Sequence, residues 1–270
     1  MPALIPLFLA SFCAFGAPSQ GESSGPSRLT ADQVIARSLE HARAVQCHLA
    51  AYRYSRLTVT EELDEQGHVK ERKEKLYDVA STGELPLLRM VKINGQAVPE
   101  ARLRQEQARE ARVRQQLSTK PEGSRRDMTE IVLTPDLVAK YQFTLEPSEL
   151  VNGRPSYRVH FEPKPGDLPV KELADRVFNH LSGKIWIDQA EFEIAKADLQ
   201  PESEVKLWGG LLPSLRKVSL TLTRTRIEPG VWFNNLATGQ FQGRKLLASM
   251  RVRTESETSN FRPVPVKDPS

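Results

Sequence analysis

Alternation of apolar and polar residues on both sides of an Asn-Gly dipeptide is the feature that most constrains this fold. Tyr141, Phe143 and Leu145 alternate with polar residues before Asn152-Gly153, and a second alternating run follows. Residues two apart on a strand lie on the same face of a sheet, and Asn-Gly readily adopts the positive φ angles of a two-residue turn. The segment therefore predicts an antiparallel hairpin with one apolar face.

The same pattern recurs along most of the chain. Extended runs from Leu49 to Leu63 and onward to Val79 flank a turn at Gly67, and a third run ends at Asn94-Gly95. Ile185–Asp188, a turn near Gln189 and a return strand with Phe192 and Ile194 predict another hairpin, and further extended segments lie at 218–223, 231–233 and 246–254. About ten strands joined mostly by tight turns indicate an antiparallel meander, and they argue against the parallel sheet of an α/β enzyme.

Three helical segments interrupt the strands. Thr30 and Gln33 form a capping box that opens an amphipathic helix ending near Val45, and apolar residues at helical spacing predict a second helix over 170–181. Residues 99–126 contain strong helix formers but too few apolar side chains for a buried face, which predicts a charged helical insertion. That insertion is an anion-binding or membrane-surface element or a solvated helix, and its mixed charges favour the solvated helix.

The N-terminus differs in composition from the rest of the chain. The first 21 residues contain no charged side chain, although the sequence has 38 basic and 34 acidic residues. The apolar run from Ala3 to Ala17 has the length of a signal-peptide core and is shorter than the roughly 20 residues of a membrane-spanning helix. We predict a signal peptide at 1–16, a linker at 17–29, one domain at 30–258 and a disordered tail at 259–270. The product is then exported, soluble and not membrane-spanning.

Residues with catalytic or metal-binding chemistry do not form recognisable motifs. The histidines show no metal-ligand spacing and are interpreted as ordinary surface or hairpin residues; they are His41, His48, His68, His160 and His180. No nucleophile elbow or phosphate-binding loop is present, and the Cys47-His48 pair lacks an orienting third residue, so a buried inert thiol is favoured. The sequence predicts no catalytic residues, no metal and no cofactor, and therefore a protein that is not an enzyme.

Charge gives two further expectations. The net charge of +4 is small, and its two signs are interspersed without a basic stripe, so no nucleic acid is expected as a partner. Glu191 and Glu193 alternate with Phe192 and Ile194, which is interpreted as a solvated outer strand face opposite an apolar one.

Three passages resemble the LolA/LolB-like superfamily of outer-membrane lipoprotein-sorting-like periplasmic proteins. They run from Tyr141 to Lys164 around the Asn-Gly turn, over Ser182–Asp188 with the sequence SGKIWID, and from Glu191 to Leu199. The resemblance spans about residues 30 to 258. It implies an α+β fold in which a strongly curved antiparallel β-sheet forms an open half-barrel, with helices on the concave side and an apolar cavity.

The resemblance also implies a function. It suggests an exported periplasmic carrier or binder of lipid or lipoprotein acyl chains; the alternative is a non-enzymatic envelope module for protein interaction or signalling, with the insertion 99–126 contacting a protein partner. The residues expected to line the cavity are Tyr157, Val159, Phe161, Ile185, Ile187, Phe192, Ile194, Val218, Leu220 and Leu222. For each of them a plain core role is the competing interpretation, because alternation marks a buried face and not a ligand.

Overall fold

A computed structural model describes residues 29–45, 52–81, 86–118, 133–166, 168, 178–201, 205–206, 214–245 and 248–264. The helices within these ranges are α1 (Ala31–Val45), α2 (Glu100–Ser118) and α3 (Pro135–Val138). The strands are β1 (Tyr52–Leu63), β2 (Val69–Ser81), β3 (Pro86–Ile93), β4 (Gln96–Ala97), β5 (Tyr141–Val151), β6 (Arg154–Pro163), β7 (Leu181–Asp188), β8 (Ile194–Pro201), β9 (Val205–Lys206), β10 (Ser214–Glu228), β11 (Val231–Lys245) and β12 (Ala248–Pro263).

All of these strands belong to one antiparallel sheet. Their spatial order is β4-β3-β2-β1-β12-β11-β10-β8-β7-β6-β5, and the short β9 pairs with β10. The strands β4 and β5 are the two edges of this order, so the described sheet is open and not closed into a barrel. The predicted antiparallel meander is thereby confirmed.

A long pairing between β1 and β12 joins the first meander to the second. Its register runs from Tyr52 opposite Pro263 to Glu62 opposite Val252. Because directly opposite residues of an antiparallel pair project from the same side, this register extends one continuous sheet face from β5–β8 toward β2.

The local signals read from the sequence correspond to the observed turns and caps. Asn152 and Gly153 have φ angles of 50° and 76°, the positive values required by the turn between β5 and β6. At the start of α1, the backbone N–H of Thr30 donates to Oε1 of Gln33 over 2.9 Å, and the N–H of Gln33 donates to Oγ1 of Thr30 over 3.3 Å. The capping box is therefore confirmed.

The C-terminal end differs from its prediction. The disordered tail expected at 259–270 is wrong for its first residues, because β12 continues to Pro263 in register with the start of β1. Phe261 also packs against Phe233 with ring centroids 4.8 Å apart, which gives this segment a buried aromatic contact. Aromatic packing and ladder hydrogen bonds outweigh the local sequence bias toward disorder.

Other predictions fall partly or wholly outside the described residues. These are the signal peptide, the linker before Leu29, Cys47 with His48, and the helix over 170–181 up to Val177. Within the insertion 99–126, α2 forms the predicted helix and contacts β3.

Close packing between β7 and β8 generates a stability prediction. A Cβ atom at Gly183 would lie 2.0 Å from the backbone oxygen of Asp198 on β8, so a side chain there forces the two strands apart. Gly183→Ala should lower the free energy of unfolding by about 2 kcal/mol or more, measured by chemical denaturation. Ser182→Ala, which removes one hydroxyl on the same strand, should cost less than about 1 kcal/mol; equal costs for the two variants would contradict this account.

Candidate apolar ligand-binding face

Seven of the ten predicted cavity residues meet on one face of β6, β7 and β8. Five are buried and two are partly buried against the same cluster: Val159, Phe161, Ile185, Ile187 and Ile194 in the first group, and Tyr157 and Phe192 in the second. The rings of Tyr157 and Phe192 are stacked with centroids 6.1 Å apart. The alternation read from the sequence therefore identified a real shared face.

Helix α1 covers this part of the face. Its Val34 and Ile35 side chains are 0% and 1% exposed and belong to the same cluster, and Leu39 packs at its margin. The helix therefore fills the space next to these seven residues with its own apolar stripe. In this structure they form a core beneath α1.

The other three predicted residues lie on β10, on the same face of the sheet. Leu220 pairs with Leu199 of β8 and Leu222 pairs with Ala197, and both β8 residues pack in the cluster under α1. Leu222 is buried, whereas Val218 and Leu220 are only half-buried and lie outside that cluster.

This half-buried apolar surface continues onto two further strands. Val218 pairs with Phe241 of β11, and Phe241 pairs in turn with Val252 of β12, so three apolar side chains form a row across the sheet. The ring of Phe241 lies over Gly239, within 2.9 Å of where a Cβ of that glycine would stand. We call Val218, Leu220, Phe241 and Val252 the β10–β12 stripe.

Phe241 and Val252 were missed from the sequence. Phe241 stands in a glycine- and glutamine-rich segment, and Val252 lies between Arg251 and Arg253, so neither has an apolar neighbour two residues away on both sides. Their place on the apolar face follows from strand register, which pairs segments that are far apart along the chain.

A buried ion-pair cluster fastens α1 to the sheet. Glu193 is 9% exposed and accepts a short hydrogen bond from Nη1 of Arg224 on β10. Nε2 of His41 on α1 lies 3.0 Å from Oε2 of Glu193, an ion-pair distance without the linear geometry of a hydrogen bond. Arg224 also donates to the backbone oxygens of Ile194 and Trp232. The carboxylate of Glu193 thus connects the helix with β10, and Arg224 extends the cluster to β8 and β11.

The charges in this cluster shift one another's pKa values. The contact with Glu193 raises the pKa of His41, and burial opposes this change only in part. Burial disfavours ionisation of Glu193, but Arg224 and His41 outweigh it, so the pKa of that carboxyl is lowered. Each partner therefore favours the charged form of the other.

The interpretation of Glu191 and Glu193 as a solvated strand face is wrong. The strand β8 begins only at Ile194, and residues 189–193 form a turn in which Phe192 adopts a φ of 55°. Glu191 accepts hydrogen bonds from Arg226 and from the indole N–H of Trp232, over 2.6 and 2.7 Å. His41 likewise has a specific partner and is not an ordinary surface residue. The signal that was missed is the pair of arginines at 224 and 226, spaced like the two glutamates.

An open cleft of about 620 Å³ lies beside α1 at this turn. Its walls carry charges of both signs, and the guanidinium of Arg37 stands 5.2 Å from the ring centroid of Phe192. The lining residues are Arg37, Glu40, His41, Ala190, Glu191 and Phe192. Such walls suit a polar group better than an acyl chain, which distinguishes this cleft from the β10–β12 stripe.

Two other kinds of feature are absent from the described residues. No group of three or more histidine, cysteine, aspartate or glutamate side chains among them is arranged to hold a metal ion. No helix in the same ranges has both the length and the apolar character needed to cross a membrane.

Comparison with known proteins gives likeness in structure only. No protein-family model matches the sequence, and no curated protein is detectably similar to it. Solved structures similar to the chain include a LolA superfamily protein from Nitrosomonas europaea, at 12% identity and a TM-score of 0.34 over 89% of this chain and 96% of that one. A DUF1329 family protein from Desulfovibrio piger matches at 12% identity and a TM-score of 0.39, over 88% and 95% of the two chains.

The complex of MucA and MucB from Pseudomonas aeruginosa is also similar, at 10% identity and a TM-score of 0.27, over 87% of this chain and 99% of that one. The superfamily that the sequence resembles is therefore represented among the similar structures. Identities and TM-scores this low say nothing about a ligand or a partner.

The ion pair between His41 and Glu193 predicts a pH-dependent stability. Because the pKa of His41 is raised on folding, the pair stabilises fully below the ordinary histidine value of 6.5 and loses its effect as pH rises through the folded value. His41→Gln should therefore cost about 1 kcal/mol of unfolding free energy at about pH 5.5 and much less at about pH 8.5. Denaturant titrations at both pH values measure this, with His68→Gln, whose ring is exposed, as the control. A cost for His41→Gln that is the same at both pH values would contradict the assignment.

Proposed function

We propose that this protein binds an acyl chain of a lipid or lipoprotein along the β10–β12 stripe, on the concave side of the sheet, and that it does so in the periplasm without catalysing a reaction. The observation that carries this proposal is the continuous apolar row from Val218 through Phe241 to Val252. This row lies on the same face as the core under α1, yet its side chains are only half-buried.

The shape of the surface supports an elongated apolar ligand. Pairs of residues in adjacent strands stand about 5 Å apart, so the row across three strands and Leu220 beside it form a platform roughly as long as several methylene groups. Gly239 lacks a side chain and leaves the ring of Phe241 lying along the sheet. An aromatic and aliphatic platform favours close contact with an extended hydrocarbon chain.

The energy available from such contact depends on how much of the acyl chain is covered. Each buried methylene contributes roughly 0.8 kcal/mol, so about ten of them supply a gross 8 kcal/mol, from which association costs of at least about 4 kcal/mol are subtracted. A dissociation constant near 1 µM needs a net free energy of about 8 kcal/mol, which corresponds to about fifteen covered methylenes.

The seven predicted residues under α1 have a different part in this proposal. Val159 and Ile187 are fully buried, and they fix the packing of β6–β8 against the helix. A charge at Phe161, 7% exposed, would disrupt that core and would not report on a ligand. The stripe is therefore the part of the face on which a substitution can test binding.

A charge placed on the stripe should remove binding while leaving the fold intact. Phe241→Asp is expected to weaken binding of monomyristoylglycerol, a neutral acyl ligand, at least about tenfold, because it puts a carboxylate against the chain. Isothermal titration calorimetry measures the affinity, and circular dichroism checks the fold. Gln240→Asp is the matched control, since Gln240 is exposed and projects from the opposite face of the same strand. Undiminished binding by Phe241→Asp, or absence of binding by the unmodified protein, would refute the proposal.

A further inference from the structure

Arg56 is a buried cation without an anionic partner among the described residues. It lies near the middle of β1 and is 8% exposed. Its guanidinium forms a hydrogen bond and a cation–π contact with Tyr54: Nη2 lies 3.4 Å from the phenol oxygen, and the carbon Cζ lies 5.9 Å from the centroid of the ring. Covering most of a cationic side chain is unfavourable, and a long hydrogen bond to a neutral phenol offsets only a small part of that cost.

The residues that face Arg56 across the sheet are also uncharged. Thr258 of β12 stands opposite on one side and Tyr77 of β2 on the other. The hydroxyl of Thr258 donates to the backbone oxygen of Asn234. The neighbouring acids Asp78 and Glu257 alternate with these residues and so project from the other face.

A second cation stands diagonally across from Arg56. Lys75 of β2 pairs with Thr58, and diagonal neighbours in an antiparallel pair are roughly 7–8 Å apart. Lys75 is half-buried, and within the described ranges no carboxylate lies within ion-pair distance of it. Lys73, two residues earlier, is already paired with Glu71 over 3.0 Å. Arg56 and Lys75 are therefore two cations on one face that can both turn to a common anion.

The strand register connects these cations to the stripe. One row across the face runs through Leu222, Ala237, Ser256, Thr58 and Lys75. The next row starts at Leu220, passes Gly239, Thr254 and Thr60, and ends at Lys73. Along these two rows the face thus changes from apolar on β10, through hydroxyls on β12 and β1, to lysines on β2, whereas the row that starts at Val218 continues past Val252 to Glu62 and Glu71.

We propose that the ligand is an amphiphile with an anionic head group, and that Arg56 and Lys75 bind this head group while its acyl chain lies on the β10–β12 stripe. This inference rests on the proposed function, since it assigns the head group of the same ligand. A carboxylate or a phosphate supplies the required chemistry: each accepts two hydrogen bonds from the guanidinium fork, and an ammonium group adds a third. The hydroxyls between the two regions suit the polar linkage of such a molecule.

The experiment compares three ligands that share one acyl chain. Monomyristoylglycerol is neutral, myristate carries a carboxylate, and myristoyl lysophosphatidate carries a phosphate. Calorimetric titration below their critical micelle concentrations should show both anionic ligands binding about tenfold more tightly than the neutral one. The ratio of the dissociation constants of myristate and lysophosphatidate then shows whether the carboxylate or the phosphate binds better.

Substitutions test which side chains cause the tighter binding of the anionic ligands. Arg56→Gln and Lys75→Gln should each abolish most of the preference while leaving the affinity for monomyristoylglycerol unchanged, and Arg56→Lys should retain part of it. The control is Lys92→Gln, because Lys92 is exposed and pairs with Leu76 on the other face. If Arg56→Gln fails to fold, Lys75→Gln tests the same claim.

The outcomes separate this inference from the proposed function. Equal binding of all three ligands, or a preference that survives Lys75→Gln and Arg56→Lys without loss, would overturn the head-group assignment and leave acyl binding standing. Binding of none of the three ligands would overturn the proposed function and this inference together.

Discussion

The pairing of β1 with β12 is the constraint on which the rest of this structure depends. It connects the meander β1–β4 to the meander β5–β12 and makes a single open sheet from two. Thr58 and Ser256, 198 residues apart in sequence, come into hydrogen-bonding contact at 2.7 Å through this pairing. Without it the apolar face of β10–β12 and the cations of β1–β2 would belong to separate surfaces, and neither could contribute to one ligand site.

The face created by that pairing is used in two ways. Over β6–β8 the helix α1 completes a core with its apolar stripe, and Glu193 fastens the helix through His41 and Arg224. Over β10–β12 the same face carries the half-buried apolar side chains of the stripe, which lie outside that core. One sheet face thus forms a packed core over β6–β8, and in our proposal it binds the ligand over β10–β12.

The sequence predicted the secondary-structure elements better than it predicted the tertiary contacts between them. The hairpin at Asn152-Gly153 could be read directly, since few dipeptides accept two positive φ angles, and alternation placed Val159 and Ile187 on one buried face. Alternation does not reveal what covers a face, so it could not distinguish a core beneath α1 from the lining of a cavity. The burial of Glu193 and Arg56 was also missed, because charged residues are ordinarily exposed and the strands packed around these two are distant in the sequence.

The central claim is that an acyl chain lies on the stripe beside the α1-covered core. Intermolecular nuclear Overhauser effects between monomyristoylglycerol and methyl-labelled protein test it most directly. The account predicts contacts from the acyl chain to the methyl groups of Val218, Leu220 and Val252, with none to Val159 or Ile187. Contacts to Val159 and Ile187 without contacts to the stripe would contradict the account, because they would show that the ligand displaces α1 and binds within the core.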